Sequence, residues 1–215
     1  MATLSEAESK ALLARHGVPV PAEELVESAE EAAAAADRIG YPVVVKLCGR
    51  TIAHKTERGL VKLNLRDAAA VQAAATQLLA AVRPEDGDVG LLVGAMVSGA
   101  RELIAGFVRD DEFGPCVMLG IGGIFAEALG DVAFRLAPLQ PVDAEDLIDD
   151  LRNQALLGAV RGEPPVDRRA LSAILSGLAE VGEHDEHIRS IDLNPLIVSA
   201  GGVPVAVDAL VELDQ

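Results

Sequence analysis

The sequence predicts an α+β fold in two lobes. Three observations carry this. Runs rich in β-branched residues, such as Val43-Val44-Val45, alternate with alanine-rich segments of helical character. The turn sequence Pro84-Glu85-Asp86-Gly87-Asp88 punctuates the chain. Beyond that turn the texture shifts toward short strands divided by glycines and charged turns. The expected lobes are 1–87 and 88–215, and half of the 215 residues are apolar, enough to bury a core.

The elements follow in order. Ser5-Glu6-Ala7-Glu8 has capping-box spacing and opens a helix to His16, with Gly17 as its stop. Val18-Pro19-Val20-Pro21 is extended by proline geometry, and Glu24 to Glu27 forms a short strand. Ser28 caps an alanine-rich helix that ends at Gly40. Val43 to Leu47 is a buried strand, Cys48 to Gly59 a polar loop and Leu60 to Leu65 a second strand. Asp67 caps a helix to about Val82. Strands are expected over Val89–Val97, Glu102–Val108, Pro115–Gly120 and Val132–Ala137. Helices are expected over Asp143–Ala159 and Asp167–Val181, and strands over Ile188–Leu193, Leu196–Ser199 and Val203–Val207.

Composition narrows the function. Eighteen basic against 34 acidic residues give a formal charge of -16, which argues against a nucleic-acid partner. One Tyr, four Phe and no Trp leave no stacking platform for single strands. Cys48 and Cys116 match no zinc spacing and read as small buried hydrophobes. The polar N-terminus is no signal peptide, and no apolar run is long enough to span a bilayer. The expectation is a soluble, cytoplasmic protein that engages no membrane.

Four features carry candidate chemistry. Lys46 interrupts an apolar strand: it either faces bulk solvent or points into a cleft to hold phosphate oxygens. The loop Thr51-Ile52-Ala53-His54-Lys55-Thr56-Glu57-Arg58-Gly59 is a solvated loop or the carrier of a nucleophilic imidazole, His54. Gly120-Ile121-Gly122-Gly123 is a tight turn or a close approach to an anion. Asp192 and Asn194 alternate with apolar residues on one strand face, with Asp208 on a neighbouring strand. These are hard oxygen donors of the kind Mg2+ prefers, unless Asn194-Pro195 simply starts a turn.

Taken together, these stretches resemble the ATP-grasp (β) part of the NDP-forming acyl-CoA synthetases, relatives of the succinyl-CoA synthetase β subunit. The resemblance runs from about Leu4 to Val211. It is carried by Leu4-Ser5-Glu6-Ala7-Glu8-Ser9-Lys10 with Gly17-Val18-Pro19, by Tyr41-Pro42-Val43-Val44-Val45-Lys46, and by Ile52-Ala53-His54-Lys55-Thr56. Gly122-Gly123-Ile124-Phe125 through Asp131-Val132-Ala133-Phe134-Arg135-Leu136-Ala137-Pro138-Leu139 and Asp192-Leu193-Asn194-Pro195-Leu196 complete it. Two departures stand out: Gly59-Leu60-Val61 where the family often has Gly-Gly-Val, and Gly94 at a hinge position often held by glutamine.

The resemblance implies an ATP-grasp fold of two α+β lobes with ATP/ADP held between them. It implies that Lys46 binds the phosphates and that Gly94, Ala95, Met96 and Val97 contact adenine, with Glu102 beside the nucleotide. It gives Mg2+ to Asn194 and Asp208, a catalytic position to Asp192, and a phosphate relay to His54. The implied reaction is acyl-CoA plus ADP plus phosphate to carboxylate plus ATP plus CoA. The CoA-binding half is missing from this sequence, so the implied partner is an α subunit or fused domain in a hetero-oligomer. The alternative is a regulatory ATP-grasp-like ligand-binding domain of a protein acetyltransferase.

Overall fold

The structure is a computed structural model that describes residues 2–52, 55, 57–123, 129–160 and 162–214. The chain divides into two compact units. One comprises residues 3–8 and 21–96, the other residues 1–2, 9–20 and 97–215. The division falls after Met96, beyond the turn at Pro84–Asp88, because the strand that follows this turn pairs with the first sheet.

Chain order begins with β1 (Ala2–Thr3), α1 (Glu6–Ala14), β2 (Glu23–Val26), α2 (Ala29–Ile39), β3 (Val43–Gly49), β4 (Val61–Leu65), α3 (Ala68–Ala80) and β5 (Val89–Ala95). Local chemistry sets the helix starts. Ser28 and Glu31 form a reciprocal capping box on α2, and the Asp67 carboxylate accepts from Ala70 N–H on α3. In the unit holding residues 21–96, an antiparallel sheet of order β2-β5-β3-β4 carries α2 and α3 on one face. Val43, Val45, Leu47, Leu91 and Val93 point into that core against Ala32, Ala35, Ala36, Val71, Ala75 and Leu78. The alanines let the helix backbones lie close to the sheet. By strand alternation, Val44, Lys46 and Cys48 lie on the opposite face.

The other unit adds β6 (Arg101–Asp110), β7 (Gly114–Ile121), β8 (Val132–Leu136), α4 (Pro141–Asp149), α5 (Arg168–His184), β9 (Ile188–Val198), β10 (Pro204–Ala206) and β11 (Leu210–Leu213). Its sheet has the order β11-β9-β6-β7-β8, with β10 pairing β9 and β1 at the β11 edge. Leu103, Ala105, Phe107, Val117, Leu119, Ile191 and Leu193 are buried on the face beneath α5. Gly182 of α5 sits directly over Phe107, where a Cβ would stand 2.3 Å from the ring. Later turns of α1 belong here too: Ser9 Oγ accepts from Val211 N–H of β11 at 3.2 Å.

Two of the expected elements take a different form, and the strands β1 and β11 were not expected. The helix expected over Asp143–Ala159 stops at Asp149, and a 3-10 turn follows at Gln154–Leu156. The buried carboxylate of Asp131 accepts from the N–H groups of Arg152 and Asn153, which draws that stretch out of the helix. The two strands expected around Asn194-Pro195 are one continuous strand, β9. Among the described residues, no helix is long and apolar enough to cross a membrane.

Candidate functional site

In the unit of residues 21–96, the site is built on the sheet face away from α2 and α3. Lys46 lies mid-strand and is only 8 % exposed. It does not face bulk solvent: its Nζ donates to Glu6 Oε1 at 2.6 Å. The other oxygen of Glu6 accepts from Lys55 Nζ. Glu8, two residues on, pairs with Arg50 through Nε at 3.0 and 3.2 Å. The Arg50 guanidinium holds the Glu8 carboxyl down to about 2. Cys48 lies near this cluster, and burial pushes its thiol up.

Gly94 pairs with Val44 on one side and Glu23 on the other, on the same sheet face as Lys46. A Cβ at Gly94 would lie 3.6 Å from its nearest neighbours, ordinary contact, so the residue leaves a shallow opening rather than relieving a clash. The N–H of Ala95 donates to Ala22 O at 2.9 Å and that of Met96 to Pro42 O at 3.1 Å. Those two amides are therefore engaged within the unit, and Val97 carries the next N–H along the chain. His54, with Ala53 and Thr56, lies outside the described residues.

In the other unit, the acids gather on the sheet face opposite α5. On β9, Ile191 and Leu193 are buried while Asp192 and Asn194 are exposed. Beyond Asn194 the phase changes. Leu103 of β6 pairs with Leu196 and Ala105 with Leu193, so two residues of β9, Asn194 and Pro195, oppose one of β6. This is a β-bulge, and proline suits it because it has no N–H to lose from the ladder. The bulge turns Leu196 and Val198 back into the core while Asn194 stays out. Asn194-Pro195 is thus a strand irregularity and not a turn.

Asp208 is placed beside this bulge. Val207 N–H donates to Pro195 O at 3.3 Å, and Asp208 Oδ1 accepts from Ala209 N–H at 3.0 Å. Leu210 pairs across to Asp192. Asp192 is exposed as a residue, on the same face as Glu212 of β11. Desolvation first, and then the charges of Asp208 and Glu212, raise its pKa above the usual carboxylate range. Glu212 accepts from the Ser190 hydroxyl at 2.6 Å.

Mutual repulsion of this kind is what a divalent cation relieves, and an amide oxygen beside a carboxylate suits Mg2+. Among the described residues no three His, Cys, Asp or Glu side chains form a metal cage. Glu102, half-buried at the start of β6, shares this open face. It lies four residues from Gly106, which pairs with Asp192. Its carbonyl accepts from Gly122 N–H at 2.8 Å, and a Cβ at Gly122 would stand 3.1 Å from that carbonyl. The glycine is there for close backbone packing.

The structure therefore groups Asp192, Asn194, Asp208 and Glu102 in one unit, and Lys46 with Gly94, Ala95 and Met96 in the other. Sequence reasoning missed the roles of Glu6, Lys55 and Glu212. Glu6 stood out in the sequence only as part of the capping-box stretch Ser5–Glu8, and its partners lie 40 and 49 residues away.

Two antiparallel α+β sheets, one with a buried lysine and one with exposed hard-oxygen donors, define a recognisable class. Residues 1–213 match the ATP-grasp domain family, and the chain belongs to it, on the branch of the β part of ADP-forming acid–CoA ligases. It is 37 % identical over 209 residues to the acetate–CoA ligase [ADP-forming] I subunit beta of Pyrococcus furiosus, covering 96 % of this chain and 90 % of that subunit. It is 38 % identical over 202 residues to the 4-hydroxybutyrate–CoA ligase [ADP-forming] of Nitrosopumilus maritimus, where it spans 93 % of this chain but only 29 % of the longer protein. The fold matches the Ca. Korarchaeum cryptofilum dinucleotide forming acetyl-coenzyme A synthetase 1 with a TM-score of 0.91 and 37 % identity, over 99 % of this chain and 94 % of that one. That protein was solved in complex with coenzyme A, Ca-AMPCP and HgCl+. It was also solved with coenzyme A and Mg-AMPPCP, its phosphohistidine segment pointing towards the nucleotide binding site.

Proposed function

We propose that this chain is the ATP/ADP-binding, phosphoryl-transfer part of an ADP-forming acyl-CoA synthetase, catalysing with a CoA-binding partner the reaction acyl-CoA + ADP + phosphate = carboxylate + ATP + CoA. The observation that carries it is the near-complete structural match to a synthetase solved with nucleotide analogues and coenzyme A. The partner is a separate α subunit, the reading favoured by the name subunit beta of the P. furiosus relative, or a fused segment, as the 29 % coverage of the N. maritimus ligase suggests. The two compact units are the two lobes of the fold, working in the cytoplasm.

In this reading Lys46 holds phosphate oxygens, and its ammonium offsets charge on the transferring group. Asn194 and Asp208 hold Mg2+, which when bound neutralises phosphate charge and orients it. Asp192 stands at the catalytic mouth and Glu102 beside the nucleotide. Adenine is read by the segment Gly94–Val97; with Ala95 and Met96 N–H engaged, the donor there is Val97. A histidine, His54 or one from the partner, attacks the γ-phosphorus in line. The P–O bond to ADP breaks as the N–P bond forms, and ADP leaves with the bond's electron pair.

The test is calorimetric titration of the purified chain with ADP in the presence of Mg2+, followed by incubation with γ-labelled ATP and a CoA-binding subunit. Micromolar nucleotide binding and an acid-labile, base-stable label are expected. Absence of nucleotide binding by the folded chain would overturn the proposal.

A further inference from the structure

Arg101 and Glu163 together hold the approach to β6. Arg101, the first residue of that strand, is 8 % exposed. Its Nε donates to Glu163 Oε2 at 3.2 Å. One terminal nitrogen donates to the carbonyls of Leu156 and Gly158 at 3.3 and 2.8 Å, and the other to Pro164 O. The second oxygen of Glu163 accepts from the N–H of Ala100 at 3.1 Å. One carboxylate thus grips both the backbone that precedes β6 and the side chain that starts it. All of these residues belong to one unit.

The loop that presents Glu163 is itself fixed. Glu163 and Val160 exchange backbone hydrogen bonds at 2.9 and 3.3 Å, and Val166 N–H donates to Leu157 O at 2.8 Å. Asp167 N–H donates to Gly202 O at 2.8 Å, which ties the loop to the turn between β9 and β10. From another side Gly99 lies against β9: a Cβ there would stand 1.9 Å from Val198 O. Glu102 is held through its carbonyl by Gly122 N–H. The backbone of residues 99–102 cannot slide along its length without breaking these contacts.

We infer that Glu163 is a positioning residue for base selection: through Ala100 and Arg101 it fixes residues 97–102, and so the place of the Val97 N–H offered to adenine and of the Glu102 carboxylate. The inference rests on the reading of Val97 and Glu102 as nucleotide contacts. Adenine presents an acceptor at N1 where guanine presents an N–H. A fixed backbone donor therefore suits one base and meets a second donor in the other. A stretch free to shift brings a carbonyl or water to that place and tolerates both. Selectivity then depends on a carboxylate that makes neither nucleotide contact itself.

The experiment is calorimetric titration of the chain with ADP and, separately, with GDP, both with Mg2+, with thermal unfolding as the fold control. Wild type should favour ADP. Glu163→Ala should weaken ADP binding about tenfold and GDP binding little, the effect of misplacing one hydrogen bond, so the preference narrows by the same factor. Glu163→Gln keeps an acceptor for Ala100 N–H and should recover most of the preference. An unchanged ADP preference in Glu163→Ala, or an equal loss for both nucleotides, would overturn the inference, because a merely structural role moves both alike. Should Glu163→Ala fail to fold, Glu163→Asp takes its place under the same criterion, being one methylene too short to reach both Ala100 and Arg101. Val97→Pro tests the reading beneath by removing that N–H. Undiminished ADP affinity there would overturn the adenine contact and the inference with it, whereas failure in the Glu163 variants alone leaves that contact standing.

Discussion

Arg58 reaches both carboxylate oxygens of Asp86 with its two terminal nitrogens, at 2.7 and 2.8 Å. Asp86 also accepts from Arg83 N–H at 2.8 Å, and its carbonyl accepts from the Thr51 hydroxyl. The short turn at Pro84–Asp86 therefore clasps the loop of residues 51–59 near both ends. Arg58 holds the Asp86 carboxyl down to about 2. A depressed carboxylate stabilises the fold fully above its ordinary value of 3.8 and loses that contribution as pH falls toward about 2. Asp86→Asn should therefore lower the urea midpoint at neutral pH, with the gap from wild type narrowing below about pH 4. A gap that stays constant from neutral to acid pH would show that the carboxylate charge is not what matters.

Lys46→Met is expected to weaken ADP binding at least about 100-fold, as loss of a phosphate-directed charge does. The fold should persist, because methionine fills the volume and Glu6 keeps Lys55 as a partner. Calorimetry and thermal unfolding measure the two effects separately.

Asp208→Asn removes a carboxylate that stands beside the β9 bulge and raises the Asp192 pKa. The Mg2+ concentration needed for half-maximal nucleotide binding should rise at least about tenfold. An unchanged Mg2+ dependence would remove Asp208 from the metal site.

Gly182→Ala tests the packing of α5. The new methyl would meet three Phe107 ring atoms at 2.3–2.6 Å, and that ring is 2 % exposed with little room to turn. A loss of about 1–3 kcal/mol is expected in denaturant unfolding. ADP affinity should not change, because the clash lies on the sheet face away from Asp192.

Helix starts were legible because their chemistry is local. Ser28 with Glu31, Asp67 and Asp167 each cap the helix their spacing announces. The acid-bearing face of β9 was legible too, since Asp192 and Asn194 alternate with buried Ile191 and Leu193. Long-range partners were hidden. The helix ending at Asp149 depends on Asp131, whose carboxylate captures the N–H groups of Arg152 and Asn153. The continuity of β9 through Asn194-Pro195 depends on β6, whose ladder resumes at Leu103 on the far side of the bulge. The burial of Lys46 depends on Glu6. No window around residue 46 contains that acid, so a lysine facing solvent and one turned into a buried cluster read alike.

β9 is laddered along both edges, by β6 on one side and by β10 and β11 on the other. Its backbone amides flanking Asp192 open only when the whole sheet melts, so Ile191 and Leu193 should rank among the slowest to exchange hydrogen with solvent. The oxygen donors carried on this strand therefore keep their mutual spacing through thermal agitation that frays less enclosed parts of the chain. In the proposed role of these donors as Mg2+ ligands, affinity for a small, geometrically exacting ion would rest on a scaffold stiffened by its neighbours, not on adjustment at the moment of capture.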